Sequence, residues 1–149
     1  FFTPAPPNTR IFGTIDLYEN PIMLGVAKDD LLRKKKNISI ADILDLPLAF
    51  FNAPMPIEKI LNDAFAVFEK QPKIILRTSD LMLIRDLAAA HKVYPLLPLD
   101  TMAGWKEVRP VPLDFFHSSV NRLVWSQALP YTSQLKAFLS FMNTQAVPG

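Results

Sequence analysis

The sequence predicts an α/β fold built from parallel βαβ units, and three observations carry that expectation. Short apolar runs at Ile22–Ala27, Leu48–Phe51 and 73–77 alternate with segments whose apolar residues recur at helical spacing, a pattern that implies parallel strands with helical crossovers. Ser39, Ser79 and Thr132 each stand just ahead of a helical segment, where a hydroxyl can accept from the free N–H groups of the first turn. The 149 residues are 50% hydrophobic and 20% charged, a soluble globular composition long enough for about one domain with a sizeable core.

Taken in order, Phe1 and Phe2 read as the tail of an apolar strand, and Pro4, Pro6 and Pro7 make residues 4–8 a connector, because proline lacks a backbone donor and restrains its predecessor. Ile22–Ala27, bounded by Pro21 and Lys28, reads as a buried strand. Ser39 with Asp42 three residues on is a capping-box variant, aspartate reaching back less well than glutamate, and Pro47 ends that helix. Leu48–Phe51 follows as a strand and residues 52–56 as a loop. Ile57, Ile60, Leu61, Ala64, Phe65 and Phe68 then predict a helix, closed by Pro72, with Glu58, Lys59, Asn62, Asp63 and Glu69 largely opposite.

Next come a strand over 73–77, a helix capped by Ser79 with Leu83, Ile84, Leu87 and Ala88 on one face, and a strand over 93–97. Pro95 removes one ladder donor from that last strand, which argues against a fully paired central position. Strands over 108–111 and 121–126 precede a helix capped by Thr132 and striped by Leu135, Phe138, Leu139 and Met142. No internal repeat is present.

The charge balance, 16 basic against 14 acidic side chains for a net +2, predicts no anionic partner without a local cluster. The one cluster, Arg33, Lys34, Lys35 and Lys36, could bind phosphates, yet such a run between a strand and a capped helix is more often a solvated loop. Without cysteine the chain has no disulfide and no thiolate chemistry. No apolar run reaches the roughly 18 residues that cross a bilayer, and the start lacks a signal-peptide pattern, although a removed signal leaves no trace. His91 and His117 lack a third ligand at helical or hairpin spacing, so no metal site is expected. There is no G-x-S-x-G and no phosphate-binding glycine pattern among Gly13, Gly25, Gly104 and Gly149, which removes the main support for hydrolase and nucleotide chemistry.

The run from Thr78-Ser79-Asp80 to Pro98, a capped helix dropping into a strand that ends at proline, together with the capped helix and strand from Ser39 to Leu48, resembles the effector-sensing domain of LysR-type bacterial transcriptional regulators. The resemblance extends from Thr14 to Met142. It implies a two-lobed, periplasmic-binding-protein-like (type 2) architecture: two α/β subdomains joined by two crossing strands, with a small-molecule effector in the cleft between them. Residues 1–20 and 119–149 would belong to the first subdomain and 21–118 to the second, Ile22–Ala27 being the first crossing strand. The family pattern expects more of the first lobe ahead of Phe1, leaving that lobe incomplete here, and a helix-turn-helix domain before it. DNA would then be bound only through a domain outside this chain. The resemblance also implies a cytoplasmic homo-oligomer, typically a side-by-side dimer, that needs no cofactor, catalyses nothing and touches no membrane. His91 and Val93 stand where the family pattern A-G-x-G-I carries its glycines. A left-handed residue is favoured just past a helix end, and histidine tolerates that conformation better than the β-branched Val93 would.

Loops at the carboxyl ends of parallel strands converge, so Asn52, Met55, Pro56, Thr78, Ser79 and Pro98 are the candidate ligand-binding residues. Helix starts at Pro56 and Ser79 would aim free N–H groups and positive dipole ends at the same crevice, suiting an anionic group on a small organic ligand. The plainer alternative is that Asn52 and Ser79 serve only as turn and cap residues. Two rival functions share such a fold: the extracytoplasmic solute-binding protein of a transporter, and an enzyme, for which no nucleophile or acid/base pair stands out.

Overall fold

The computed structural model describes residues 2–3, 11–53, 55–116, 120–128 and 130–146. The connector expected over 4–8, and Phe1, Pro54, His117 and Gly149, lie outside them. The chain divides into two compact units, one of residues up to Asn20 and from Ser118 onward, the other from Pro21 to His117.

The second unit is a five-stranded sheet ordered β5-β4-β6-β3-β7. Its strands are β3 (Ile22–Ala27), β4 (Leu48–Phe51), β5 (Ile74–Thr78), β6 (Tyr94–Pro98) and β7 (Val108–Pro112). β4 pairs in parallel with β5 and β6, as the βαβ spacing predicts. β3 instead runs antiparallel to both β6 and β7, so the sheet is mixed. Side chains alternate across a strand, and this sheet buries both faces. Leu48, Phe50 and Leu96 enter one core with α2 (Pro56–Ala66) and α1 (Ile40–Ile43). Ala49 and Leu97 enter the other with α3 (Leu81–Ala89) and α4 (Leu99–Met102). α4 and a 3-10 turn over Leu31–Lys34 are too short to announce themselves by periodicity.

Several expectations give way. β6 is central, although Pro95 argues otherwise. Its pairing with β3 runs from Ile22↔Pro98 to Leu24↔Leu96 and stops short of Pro95, so the missing donor costs no bond on that side. Gly25 makes room for the ring, since an added Cβ there would lie 2.7 Å from Pro95 Cγ. α2 ends not at Pro72 but at Ala66, because Glu69 takes a left-handed φ of 53°. The Lys70 N–H then donates to the Phe65 carbonyl and the Glu69 N–H to that of Ala66, closing a Schellman motif. The α2 stripe is accordingly Ile57, Leu61 and Phe65, with Ile60 and Phe68 exposed. On α3, Ile84 and Ala88 are buried while Leu83 is exposed, since Leu81 packs on that core instead.

α3 ends in the same motif, Lys92 N–H to Leu87 carbonyl and His91 N–H to Ala88 carbonyl, with His91 at φ 58°, the left-handed position its place past the helix predicts. Val93 needs no such conformation and is buried. The imidazole reaches across to Asp29, Nε2 to Oδ1 2.9 Å, and Asp30 accepts from the Tyr94 hydroxyl at 2.7 Å. Burial, first, and the bond to Asp30 push the Tyr94 phenol up to about 12. At the start of α1, Ser39 donates both its N–H and its hydroxyl to Asp42 Oδ2, the reach-back half of the capping box.

The first unit is a three-stranded antiparallel sheet ordered β1-β8-β2, of β1 (Phe2–Thr3), β2 (Phe12–Glu19) and β8 (Val120–Ser126). β2 carries no clean alternation that would reveal it in sequence. α5 (Ser133–Thr144) begins at Thr132, whose hydroxyl accepts from the Leu135 N–H at 3.1 Å, the expected cap. Its Leu139 joins Leu17 and Leu123 in a small core flanked by Leu135 and Met142; Phe138, expected in that stripe, is exposed. Gly13 faces Trp125 across the ladder, where any Cβ would meet the indole at 2.3 Å.

Candidate functional site

The carboxyl ends of β5, β4 and β6 lie side by side. Thr78 and Pro98 are the last residues of β5 and β6 rather than loop residues, Asn52 and Ser79 lie just past β4 and β5, and Met55 and Pro56 lie at the start of α2. Asn52 follows β4, and its N–H donates to the Thr78 carbonyl at the end of β5 at 3.0 Å, which ties the two loops together. Asn52, Pro56 and Ser79 are exposed; Met55, Thr78 and Pro98 are half-buried. Met55 packs in part against the first core. Pro98 closes β6 in register with Ile22.

Ser79 is not the cap of α3. Asp80 takes that role at φ −89°, ψ 96°, its Oδ1 accepting from the Met82 and Leu83 N–H groups at 3.0 Å each, while Thr78 Oγ1 accepts from the Asp80 N–H at 3.1 Å. A carboxylate accepts two N–H groups and opposes the helix dipole where a hydroxyl only bonds, so the acidic neighbour wins the position. Two consequences follow for binding. The positive end of α3 is already occupied by a negative charge, which disfavours an anion there, and the Ser79 hydroxyl is left over from any capping duty.

The start of α2 differs. Met55 stands at the cap with no side-chain bond to offer, and Pro56 occupies the first turn. The helix dipole there is met only by Glu58, whose carboxylate is held by Arg77 in a two-point bond of 2.8 and 2.7 Å. That pairing raises the Arg77 guanidinium above its ordinary value. Arg77 also lies 5.4 Å from the centroid of the Phe50 ring, a cation–π distance, so β5, β4 and the first turn of α2 are held as one piece. Sequence reasoning passed over Arg77 and Glu58; an arginine beside the last residue of a strand, with an acid three positions into the next-packed helix, was the available signal.

A cavity of about 180 Å³ lies at the same end of the sheet, lined by Pro21, Ile22, Met23, Asn37, Pro112, Leu113 and Phe116. Because β3 runs against β6 and β7, its first residues sit beside their last ones, Ile22 at Pro98 and Met23 at Pro112. None of these residues follows a parallel strand, which is why the rule that finds Asn52 and Thr78 misses them. The described site therefore offers one amide from Asn52, one free hydroxyl from Ser79, an uncapped helix start and an apolar recess with the Asn37 amide at its rim. No group of three or more His, Asp or Glu among the described residues could hold a metal.

The sequence matches the LysR substrate binding domain family over residues 1–146, and the chain belongs to that family. No curated protein matches it. Among solved structures it is similar to the regulatory domain of CcmR from Synechocystis PCC6803 in complex with 2-PG, at 15% identity and a TM-score of 0.79 over 97% of this chain and 72% of that one. It is similar likewise to the effector binding domain of QuiR in complex with shikimate, at 18% identity and a TM-score of 0.76 over 97% and 70%. HinK, a LysR family transcriptional regulator from Pseudomonas aeruginosa, matches at 15% identity and a TM-score of 0.70, over 97% of this chain and 51% of HinK; this chain spans about half that regulator's length. At such identities the likeness is one of fold, the two-lobed α/β fold of the family.

Proposed function

We propose that this chain is the ligand-sensing part of a LysR-type transcriptional regulator and binds a small organic effector at the carboxyl end of its five-stranded sheet. Asn52, Met55, Pro56, Thr78, Ser79 and Pro98 would contact the ligand, with residues 21–118 acting as the second effector subdomain and 1–20 with 119–149 as part of the first. The observation that carries the reading is the convergence of three strand ends on polar groups that the fold itself leaves unused: the Ser79 hydroxyl, the Asn52 amide and the uncapped start of α2. An anionic group on the effector would sit toward α2 rather than α3, where Asp80 already stands. Shikimate and 2-PG, the ligands of the QuiR and CcmR domains, are small polar compounds of the kind such a site would take. In the cell the chain would work in the cytoplasm, paired with a second copy, without catalysis or cofactor, and would reach DNA through a separate domain. That no described helix is long and apolar enough to cross a membrane is compatible with this.

The test is a calorimetric panel of small organic acids, shikimate and 2-PG among them, on the folded chain. Ser79→Ala and Asn52→Ala should each weaken the best binder by about fivefold, the scale of one lost neutral hydrogen bond, with the melting temperature unchanged. Unaltered affinity in both variants would return these residues to plain turn roles.

A further inference from the structure

Three glycines are described, and two have a packing reason. An added Cβ at Gly13 would strike the Trp125 ring, and one at Gly25 would press on Pro95 and Met102. Gly104 has neither that reason nor a conformational one. An added Cβ there meets nothing within 4 Å, and no described glycine has positive φ. What Gly104 does leave is space, in a cavity of about 370 Å³ that it lines with Arg85, Asp86, Ala89, Trp105, Lys106 and Glu107. That volume falls within the range of small-molecule pockets, roughly 300–1,000 Å³.

The charges around this cavity are accounted for, with one exception. Arg85 donates Nε and Nη2 to Asp86 Oδ1 at 2.9 and 2.8 Å. Glu107 pairs with Lys28, whose ammonium it holds above its ordinary value. Lys106 is exposed, and among the described residues no hydrogen bond or ion pair engages it. Trp105 is half-buried, packed against the second core, with its backbone N–H fixed to the Met102 carbonyl at 2.9 Å. The cavity therefore combines a half-buried indole, an unspent ammonium and an exposed glycine whose position could carry a side chain. It lies on α3 and the loop between α4 and β7, whereas the proposed effector site lies at the strand ends.

We propose that this cavity is a second small-molecule site, which takes a flat organic carboxylate. The acid group would bond to Lys106, a charge-assisted contact, and the ring would lie against Trp105. Because Asp86 and Glu107 are already paired with Arg85 and Lys28, Lys106 alone would hold the ligand's charge, which suits a single carboxylate. The site does not depend on the effector reading above, since it shares no residue with it.

Benzoate is the probe, followed by heteronuclear NMR on the 149-residue chain, with the Trp105 indole signal assigned through Trp125→Phe. Benzoate should shift the Trp105 indole N–H and the Gly104 amide saturably, while uncharged benzamide should not. Lys106→Gln should weaken binding by about fivefold, the scale of one partly exposed ion pair. Gly104→Leu should abolish the shifts by filling the cavity, and Asn52→Ala should leave them intact. Saturation without shifts at Gly104 and Trp105, or equal affinity in the Lys106→Gln chain, would overturn the proposal. Because Lys106 is exposed, that variant decides the matter even if Gly104→Leu fails to fold.

Discussion

The two units of this chain hold themselves together to different depths. In the five-stranded unit both sheet faces are covered, and Leu24, Ile43, Phe50, Leu61, Ile84 and Leu96 are wholly removed from solvent. The three-stranded unit buries Val124 fully, but its core cluster of Leu17, Leu123 and Leu139 keeps between 5% and 9% of its surface. Area withdrawn from water is what burial converts into stability, so the first unit has a deep reserve and the second a thin one. The candidate effector residues sit on the deep unit, at strand ends, a helix start and the loops between them, whose supports can bear the loss of a polar side chain. The difference can be broken or sharpened by substitution.

The largest effect is expected in the cores. Phe50→Ala should cost about 3–5 kcal/mol, the range for a buried phenylalanine, and should also release Arg77 from its ring. Leu139→Ala, in the thin core, should cost about 2 kcal/mol, the low end for leucine. Urea denaturation of each variant measures both, and equal losses would contradict the contrast.

The glycines come next. Gly25→Ala in the deep unit should cost about 1–3 kcal/mol by overpacking, because the Pro95 ring cannot yield. Gly13→Ala should cost a similar amount unless the Trp125 indole swings aside, and Trp fluorescence reports that movement. Gly104→Ala should be neutral or gain roughly 0.5 kcal/mol through the unfolded chain. Thermal melts that rank these three otherwise would count against the geometry.

Tyr94→Phe should cost about 1–2 kcal/mol, because it strips a bond from Asp30. The folded phenol titrates above its ordinary value, so its stabilising contribution is complete below about pH 10 and fades as pH rises toward 12. Ultraviolet titration of the folded chain should show one tyrosine ionising near 12, and that step should vanish in Tyr94→Phe.

The smallest differences are at the helix caps, where the two units should behave alike because a cap acts locally. Asp80→Ala and Thr132→Ala should each cost about 1 kcal/mol, whereas Ser79→Ala should be close to neutral. A Ser79→Ala loss matching that of Asp80→Ala, read from the same denaturation curves, would restore the cap to the serine.

Much of this was legible from local pattern. Strands β3 and β4 fall where short apolar runs stand between prolines and charges, and α2, α3 and α5 fall where apolar residues recur at helical spacing, because backbone periodicity alone decides which side chains share a face. Asn52 and Ser79 fall in the loops expected after strands, Thr78 and Pro98 are instead the last residues of β5 and β6, and His91 is the left-handed helix end its position predicts. Beyond that range the tertiary structure decided. The left-handed turn at Glu69, and not the proline three residues later, stops α2. Which of the adjacent Ser79 and Asp80 caps α3 depends on one backbone conformation, and both residue types are good caps. The reversal of β3 against β6, which puts Pro21, Ile22 and Met23 beside Pro98 and Pro112, joins residues more than seventy apart. Such pairings are set by the burial of both sheet faces at once, and no window of sequence shorter than the unit contains that information.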